Sequence, residues 1–171
     1  SRDHTLHVGP SGLITIAGGK WTTYRKMAED TVDHAQVLGG LESHRCVTKQ
    51  IPIHGSHPDP SELGRLWMYG ADAESVEFFV ERSPNRIHPH LDLTEGEVTW
   101  MVRTEMAQTV DDVLARRSRS LLLDARAARD SAQKVAELMA KELNRDAAWI
   151  DAQVQAFAKV AEVYVPVALG A

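Results

Sequence analysis

The chain has 171 residues, of which 43% are hydrophobic and 25% are charged, and its formal net charge is -5. This length suffices for one domain with a sizeable core, or for one domain and part of another. The mildly acidic balance offers no basic face to replace the counterions of DNA or RNA, so we expect no nucleic-acid partner. The single cysteine, Cys46, excludes an intramolecular disulfide and fits a reducing compartment.

The first residues predict two strands, a turn and a helix. Apolar patches at 6–8 and 13–17 flank the turn sequence GPSG, and the second patch leads into GGKWTTYR at 18–25. A helical pattern then runs from about Trp21 to Leu38 and stops at two glycines. Because the chain opens at Ser1 directly into a strand edge, without an initiating Met, we expect it to be a piece of a longer protein.

The remainder predicts a linker followed by helices. Residues 41–58 are rich in turn formers, with a short extended piece expected around 47–53, and residues 59–171 read as a helical domain. Helix starts are predicted at Asp59, which is followed by Pro, and at the capping box that begins at Thr94. Four further residues can cap helices: Asp72, Thr109, Asp124 and Asp146.

The last two predicted helices, at about 124–143 and 147–164, have apolar residues at alternating spacings of three and four. A short link at 144–146 predicts that they pack as an antiparallel pair. The expected fold is therefore mainly α, a C-terminal helical bundle preceded by a short β-hairpin and a strand-loop-helix unit.

Most polar clusters favour structural roles. The eight histidines are scattered without a second cluster that would complete a metal site, so no metal is expected. Glu105 is expected to join an ion-pair network with the arginines at 116, 117 and 119 rather than to act as a catalytic carboxylate. Six aromatic residues fall on helical patterns and are expected in the core: Trp67, Tyr69, Phe78, Phe79, Trp100 and Trp149.

The glycine-rich junction is the strongest candidate for chemistry. Two glycines allow positive φ and close approach of another group, and the first amides of the following helix have no internal partner. Those amides, the helix dipole and Lys20 converge where negative charge could be held. From the residues alone, an ordinary turn and an anion-binding site both stay open, since the spacing is not that of a P-loop.

Four runs resemble the C-terminal part of the FAD-dependent glycerol-3-phosphate dehydrogenases. They are SRDHTL at 1–6, the stretch from Leu13 through GGKWTTYRKMAE, VRTEMA at 102–107 and DDVLARR at 111–117. The resemblance covers nearly the whole chain and implies an enzyme that oxidises sn-glycerol 3-phosphate to dihydroxyacetone phosphate and passes electrons through FAD to a quinone. It also implies a bacterial, cytoplasmic enzyme attached peripherally to the inner face of the cytoplasmic membrane.

The resemblance assigns roles to the first residues. Residues 1–40 would end the flavin domain, with Arg2 and Lys20 as the cations facing the substrate. Flavin would be contacted by Gly18, Gly19, Lys20, Trp21 and Thr22. The dinucleotide fingerprint G-x-G-x-x-G does not occur in this sequence, so the chain by itself is expected neither to bind FAD nor to catalyse.

Two other readings stay open. The helical domain could be a dimerisation or docking module without a catalytic role, with the strand edge pairing to a second copy. Alternatively, the enzyme could be an oxidase that gives its electrons to oxygen, since the residues that would decide oxygen access are not in this sequence.

Overall fold

A computed structural model describes residues 3–165, which fold into two compact units divided after His54. The mainly α fold is confirmed, with a single hairpin in the described residues. The division lies within the segment 41–58 that the composition marks as a linker; the predicted domain boundaries themselves stay a prediction. Among the described helices, none combines the length and the hydropathy that crossing a bilayer requires.

The first unit contains the hairpin and one long helix. Strands β1 (His4–Val8) and β2 (Ile14–Gly18) pair antiparallel, with His4 opposite Gly18. A short 3-10 turn, Trp21–Thr23, leads into helix α1 (Tyr24–Leu38). The predicted extended piece around 47–53 is wrong: residues 41–53 contain turns and irregular backbone and no strand.

The second unit begins with a 3-10 helix, Pro60–Asp72, followed by α2 (Ala73–Arg82). Asp59 caps the 3-10 helix as predicted, through a 3.0 Å bond from the Ser61 amide. The helix is not continuous, because Gly64 and Gly70 both leave helical geometry with φ +53°. Asp72, predicted as a cap, makes no side-chain capping bond to α2.

The centre of the second unit is α3 (Glu95–Arg103), which begins at the predicted capping box. Thr94 Oγ1 accepts from the Glu97 amide at 3.2 Å, and the Thr94 amide donates to the Glu97 carboxylate at 3.0 Å. That carboxylate is buried, and it also accepts from Arg65 at 3.0 Å and from the Tyr69 hydroxyl at 3.4 Å. The capping box therefore also joins α3 to the preceding 3-10 helix.

After α3 a turn leads to a π-helix, Asp112–Arg117. Thr109 Oγ1 accepts from the Asp112 amide at 3.2 Å, the bond expected of the predicted cap. In return, the Thr109 amide and hydroxyl and the Gln108 amide each donate to the Asp112 carboxylate at 2.9 Å. Burial, the largest single influence, favours the neutral carboxyl of Asp112, but these hydrogen bonds outweigh it and lower its pKa below 3.8.

Helices α4 (Ser120–Leu123), α5 (Ala125–Asp130), α6 (Ala132–Leu143) and α7 (Ala147–Tyr164) complete the unit. The predicted helix at 124–143 is interrupted at Ser131, whose hydroxyl donates to the Ala127 carbonyl at 2.7 Å, a bond that bends helices. Asn144 ends α6 in the left-handed conformation, and α6 packs against α7 across the three-residue link. Asp124 and Asp146 cap α5 and α7 as predicted.

The core of the second unit lies where α3, α5, α6 and α7 meet. Its fully buried residues include Val98, Met101, Val135, Met139 and Phe157. Two of the six aromatic residues expected in the core, Trp67 and Phe78, are instead more than half exposed. Phe78 is covered from outside by Arg82, whose guanidinium carbon lies 3.2 Å from the ring centroid. Helical spacing therefore identified the buried stripes but not where each stripe ends.

Candidate functional site

The strand-to-helix junction of the first unit, residues 18–22, is here called the glycine corner. Gly18 and Gly19 both have positive φ, +80° and +86°. A Cβ on Gly18 would lie 3.0 Å from the Asp3 carbonyl oxygen, and one on Gly19 would lie 2.4 Å from the Met27 sulfur. Positive φ favours glycine at both positions. At Gly18 the backbone oxygen of Asp3 also leaves little room for a Cβ, whereas at Gly19 the obstruction is the flexible end of Met27, which can move aside.

The helix start at the glycine corner leaves two amides without an assigned hydrogen-bond acceptor. Lys20 is extended, and its amide donates to the Thr23 hydroxyl at 3.1 Å, while the Thr23 amide and hydroxyl donate to the Lys20 carbonyl at 2.9 and 3.0 Å. Within residues 3–165, the Trp21 and Thr22 amides have no hydrogen-bond acceptor assigned to them. Two free donors at a helix N-terminus favour a negatively charged or carbonyl-bearing group.

The surface of the glycine corner is open. The side chains of Lys20 and Thr22 are exposed, and that of Trp21 is 87% exposed. The Trp21 ring lies beside the Tyr24 ring, with 5.9 Å between centroids. The two aromatic rings, both more than half exposed, form a small apolar patch at the start of the helix.

The structure brings five of the six predicted site residues together at one corner: Gly18, Gly19, Lys20, Trp21 and Thr22. The sixth, Arg2, lies outside the described residues. The pairing of Arg2 with Lys20 at a substrate therefore stays a prediction.

A polar cluster that the sequence analysis did not identify lies beneath the glycine corner. His4 Nε2 is 2.9 Å from the carboxylate of Asp30, which also accepts from Lys26 at 2.7 Å. The bond from Lys26, joined by that from His4, holds the pKa of Asp30 below its ordinary value. Glu29, which directly precedes Asp30 on α1, pairs with Arg25 at 2.8 Å.

An apolar groove of about 1010 Å³ lies between α1 and the segment 41–53. Its apolar lining consists of Tyr24, Ala28, Val32, Leu41, Val47, Ile51, Pro52 and Ile53. Cys46, half-buried, lies at one wall, where Arg25 donates to Thr48 at 3.3 Å. No side chain among the described residues of the first unit, 3–54, is fully buried. The unit thus presents apolar surface without a core of its own.

Glu105 is part of an ion-pair network, as predicted. Its carboxylate accepts from the Trp100 indole at 2.9 Å and lies 3.5 Å from Arg117, which also donates to the Glu105 carbonyl. Arg116 instead pairs with Asp111 and Asp112, and in the described part of the chain no contact with Glu105 is assigned to Arg119, so Arg117 alone of the three predicted arginines joins it. Within residues 3–165, no group of three or more His, Cys, Asp or Glu side chains is arranged to hold a metal ion.

Comparison with known proteins decides the family. Residues 46–150 match the family model described as the C-terminal domain of alpha-glycerophosphate oxidase. The chain belongs to this family.

Individual proteins similar to this chain match it from well before residue 46, where the family model begins. A probable mitochondrial glycerol-3-phosphate dehydrogenase from Caenorhabditis elegans is 34% identical over 99% of this chain and 26% of its own length. Glycerol-3-phosphate dehydrogenase 1 of Mycobacterium tuberculosis is 35% identical over 70% of the chain and 25% of its own length. The mitochondrial glycerol-3-phosphate dehydrogenase SDP6 of Arabidopsis thaliana is 34% identical over 83% of the chain and 28% of its own length.

The chain spans about a quarter of the length of these relatives. The family model itself begins at residue 46, after the glycine corner. An alignment that covers 99% of the chain, however, includes that corner. The corner is therefore part of the homology with glycerol-3-phosphate dehydrogenases. The relatives described above include mitochondrial proteins and one from a bacterium.

Proposed function

We propose that this chain is the C-terminal part of a flavoenzyme that oxidises sn-glycerol 3-phosphate to dihydroxyacetone phosphate. The observation that carries the proposal is the glycine corner, where two free amides at a helix start lie on an open surface. Homology along 99% of the chain to a probable glycerol-3-phosphate dehydrogenase supports the choice of reaction.

The exposed apolar surface of the first unit supports its place within a larger domain. A hairpin alone is marginally stable, and a unit without a buried side chain cannot offset the entropy of ordering its backbone. The groove beside α1 has the apolar lining that packing against other elements requires. We therefore assign residues 1–40 to the end of the flavin domain.

The residues of the glycine corner fit an isoalloxazine edge. Gly18 is exposed and Gly19 half-buried, both without a side chain that would cover their backbone, and the Trp21 and Thr22 amides that follow have no assigned acceptor. When bound, FAD supplies the acceptor for the hydride that leaves the carbinol carbon of the substrate. The amides stabilise negative charge that accumulates beside them during the transfer, which is the differential stabilisation that catalysis needs.

Lys20 and Arg2 bind the substrate in this proposal. Glycerol 3-phosphate is close to a dianion at neutral pH, and a phosphate is held well by a planar guanidinium and a compact ammonium together. Lys20 is exposed at the corner and free to reach a ligand on the open side. The resulting electrons pass to a quinone, so the whole enzyme would attach peripherally to the inner face of the cytoplasmic membrane, where quinones dissolve.

The test uses the full-length enzyme with Lys20→Ala and Arg2→Ala. Losing one charged contact to the phosphate costs about 1.5–3 kcal/mol, so kcat/KM for glycerol 3-phosphate should fall by roughly 10- to 100-fold. Lys159→Ala, at an exposed lysine of α7, is the control and should leave kcat/KM unchanged. Wild-type kinetics in both test variants would remove the assignment of the site.

An oxidase is the second candidate, favoured by the name of the matching family model. It differs only in the electron acceptor. Oxygen consumption and peroxide formation by the full-length enzyme, measured against reduction of a soluble quinone analogue, separate the two: peroxide stoichiometric with product selects the oxidase. Light scattering on the same preparation tests the possible homodimer.

A further inference from the structure

The contact between His4 and Asp30 ties the start of the hairpin to the middle of α1. The two side chains are 26 positions apart in sequence, and they meet at 2.9 Å with side-chain exposures of 17% and 26%. Since a carboxylate can only accept, Nε2 of His4 carries the hydrogen in this bond. A polar contact thus joins the helix to the open end of the hairpin, opposite its turn.

His4 also lies directly under the glycine corner. It is the register partner of Gly18 on β2, and a Cβ built on Gly19 would lie 3.5 Å from the Cβ of His4. Met27 of α1 closes the same space from the helix side. A displacement of His4 would therefore shift the backbone of Gly18 and Gly19, and with it the amides of Trp21 and Thr22.

Asp30 is itself fixed on α1. Lys26, one turn earlier, donates to it at 2.7 Å and also lies 3.8 Å from Glu29. The carboxylate that His4 contacts is thus held in place from the helix side. The hydrogen bond from His4 is directional and anchors the corner at a defined distance from α1.

We infer that His4 and Asp30 are positioning residues, which hold the glycine corner in the geometry that its amides need during hydride transfer. The inference rests on the proposed function of that corner. Donors must lie within about 0.5 Å of their productive positions, and a displacement of about 1 Å can cost 100-fold in rate. A single contact this close to solvent contributes little to global stability. Its main effect should therefore be on catalysis rather than on folding.

The experiment compares His4→Ala, Asp30→Ala and the double variant in the full-length enzyme. Each single variant should lower kcat for glycerol 3-phosphate on the order of tenfold, with a smaller change in KM. The flavin midpoint potential should fall, because displaced amides stabilise the reduced ring less. The double variant should be no worse than either single variant, since both remove the same contact.

Two further variants separate positioning from general damage. His4→Gln keeps a donor near the position of Nε2 and should restore most of kcat and of the potential. Asp33→Ala removes an exposed carboxylate from the same helix and should change neither. Flavin content and the melting temperature identify any variant that simply fails to fold, in which case His4→Gln and the potential decide the matter.

The outcomes distinguish a failure of this inference from a failure of the proposed function on which it rests. If Lys20→Ala lowers activity while the His4 and Asp30 variants keep wild-type kcat and potential, the inference is wrong and the proposed function stands. An effect that His4→Gln does not restore, or that Asp33→Ala reproduces, also overturns the inference. If Lys20→Ala and Arg2→Ala leave the kinetics unchanged, the proposed function itself fails.

Discussion

Gly70→Ala should be one of the most destabilising single substitutions in the second unit. Gly70 is buried, with φ +53° and ψ −126°, a region that side-chain-bearing residues avoid. A Cβ built there would lie 1.7 Å from the carbonyl oxygen of Gly55, an atom that also accepts from the Ala71 amide at 3.2 Å. The substitution must therefore displace backbone from backbone, which no rotamer change can relieve.

Gly64 provides a matched control for this substitution. It has almost the same backbone conformation, φ +53° and ψ −128°, but a Cβ built on it would meet nothing within 4 Å. Gly64→Ala should cost only the backbone strain, about 1–3 kcal/mol. Gly70→Ala carries the same strain and adds about 1–3 kcal/mol or more for overpacking. The entropy that alanine removes from the unfolded chain is common to both and cancels in the comparison.

Urea unfolding of the 171-residue chain, followed by far-UV circular dichroism, measures both variants. The free energy of unfolding should fall further in Gly70→Ala than in Gly64→Ala, with equal m-values. Equal losses in the two variants would refute the reasoning, because strain alone would then account for both. A larger loss in Gly64→Ala would show that the packing of Gly70 against Gly55 is wrong.

Two further predictions concern the helix starts of the second unit. Thr94→Ala removes the hydroxyl that caps α3 and contacts the buried Glu97 carboxylate at 2.8 Å, so unfolding in urea should show a loss of about 1–2 kcal/mol; Thr99→Ala, within α3, should show less. Because the pKa of Asp112 lies below 3.8 in the folded state, its carboxylate stabilises the fold above that pH and this contribution disappears as the pH falls through the folded pKa. Asp112→Asn should therefore lose less stability on acidification than wild type; a stability curve parallel to that of wild type would contradict the assignment.

Local sequence signals located the glycine corner and the helix starts. Positive φ at Gly18 and Gly19 follows from a strand running into a helix through residues without a Cβ. The capping box at Thr94 and the caps at Asp124 and Asp146 are likewise set within three or four residues. Such features depend on neighbours along the chain, so the sequence is sufficient to predict them.

Periodicity gave the helices of the second unit, but not their interruptions or the extent of burial. Ser131 interrupts the helical run through the bond from its hydroxyl to the Ala127 carbonyl. A serine within a helix forms this bond in some surroundings and points to solvent in others. Trp67 and Phe78 fit a helical stripe yet are more than half exposed. Which side of a stripe is covered depends on the helix that packs there, and spacing along one helix does not specify its partner.

The His4–Asp30 contact shows most clearly what the sequence by itself could not determine. The alternation of β1 places His4 on the same strand face as Leu6 and Val8, and that much follows from a period of two. Its partner is 26 residues away on α1, and only the packing of helix against hairpin brings the two within 2.9 Å. The sequence thus determined the class of fold, the family and the glycine corner, because these rest on local patterns. Tertiary structure decided what lies beneath the corner, because a contact between distant residues depends on how the elements between them pack.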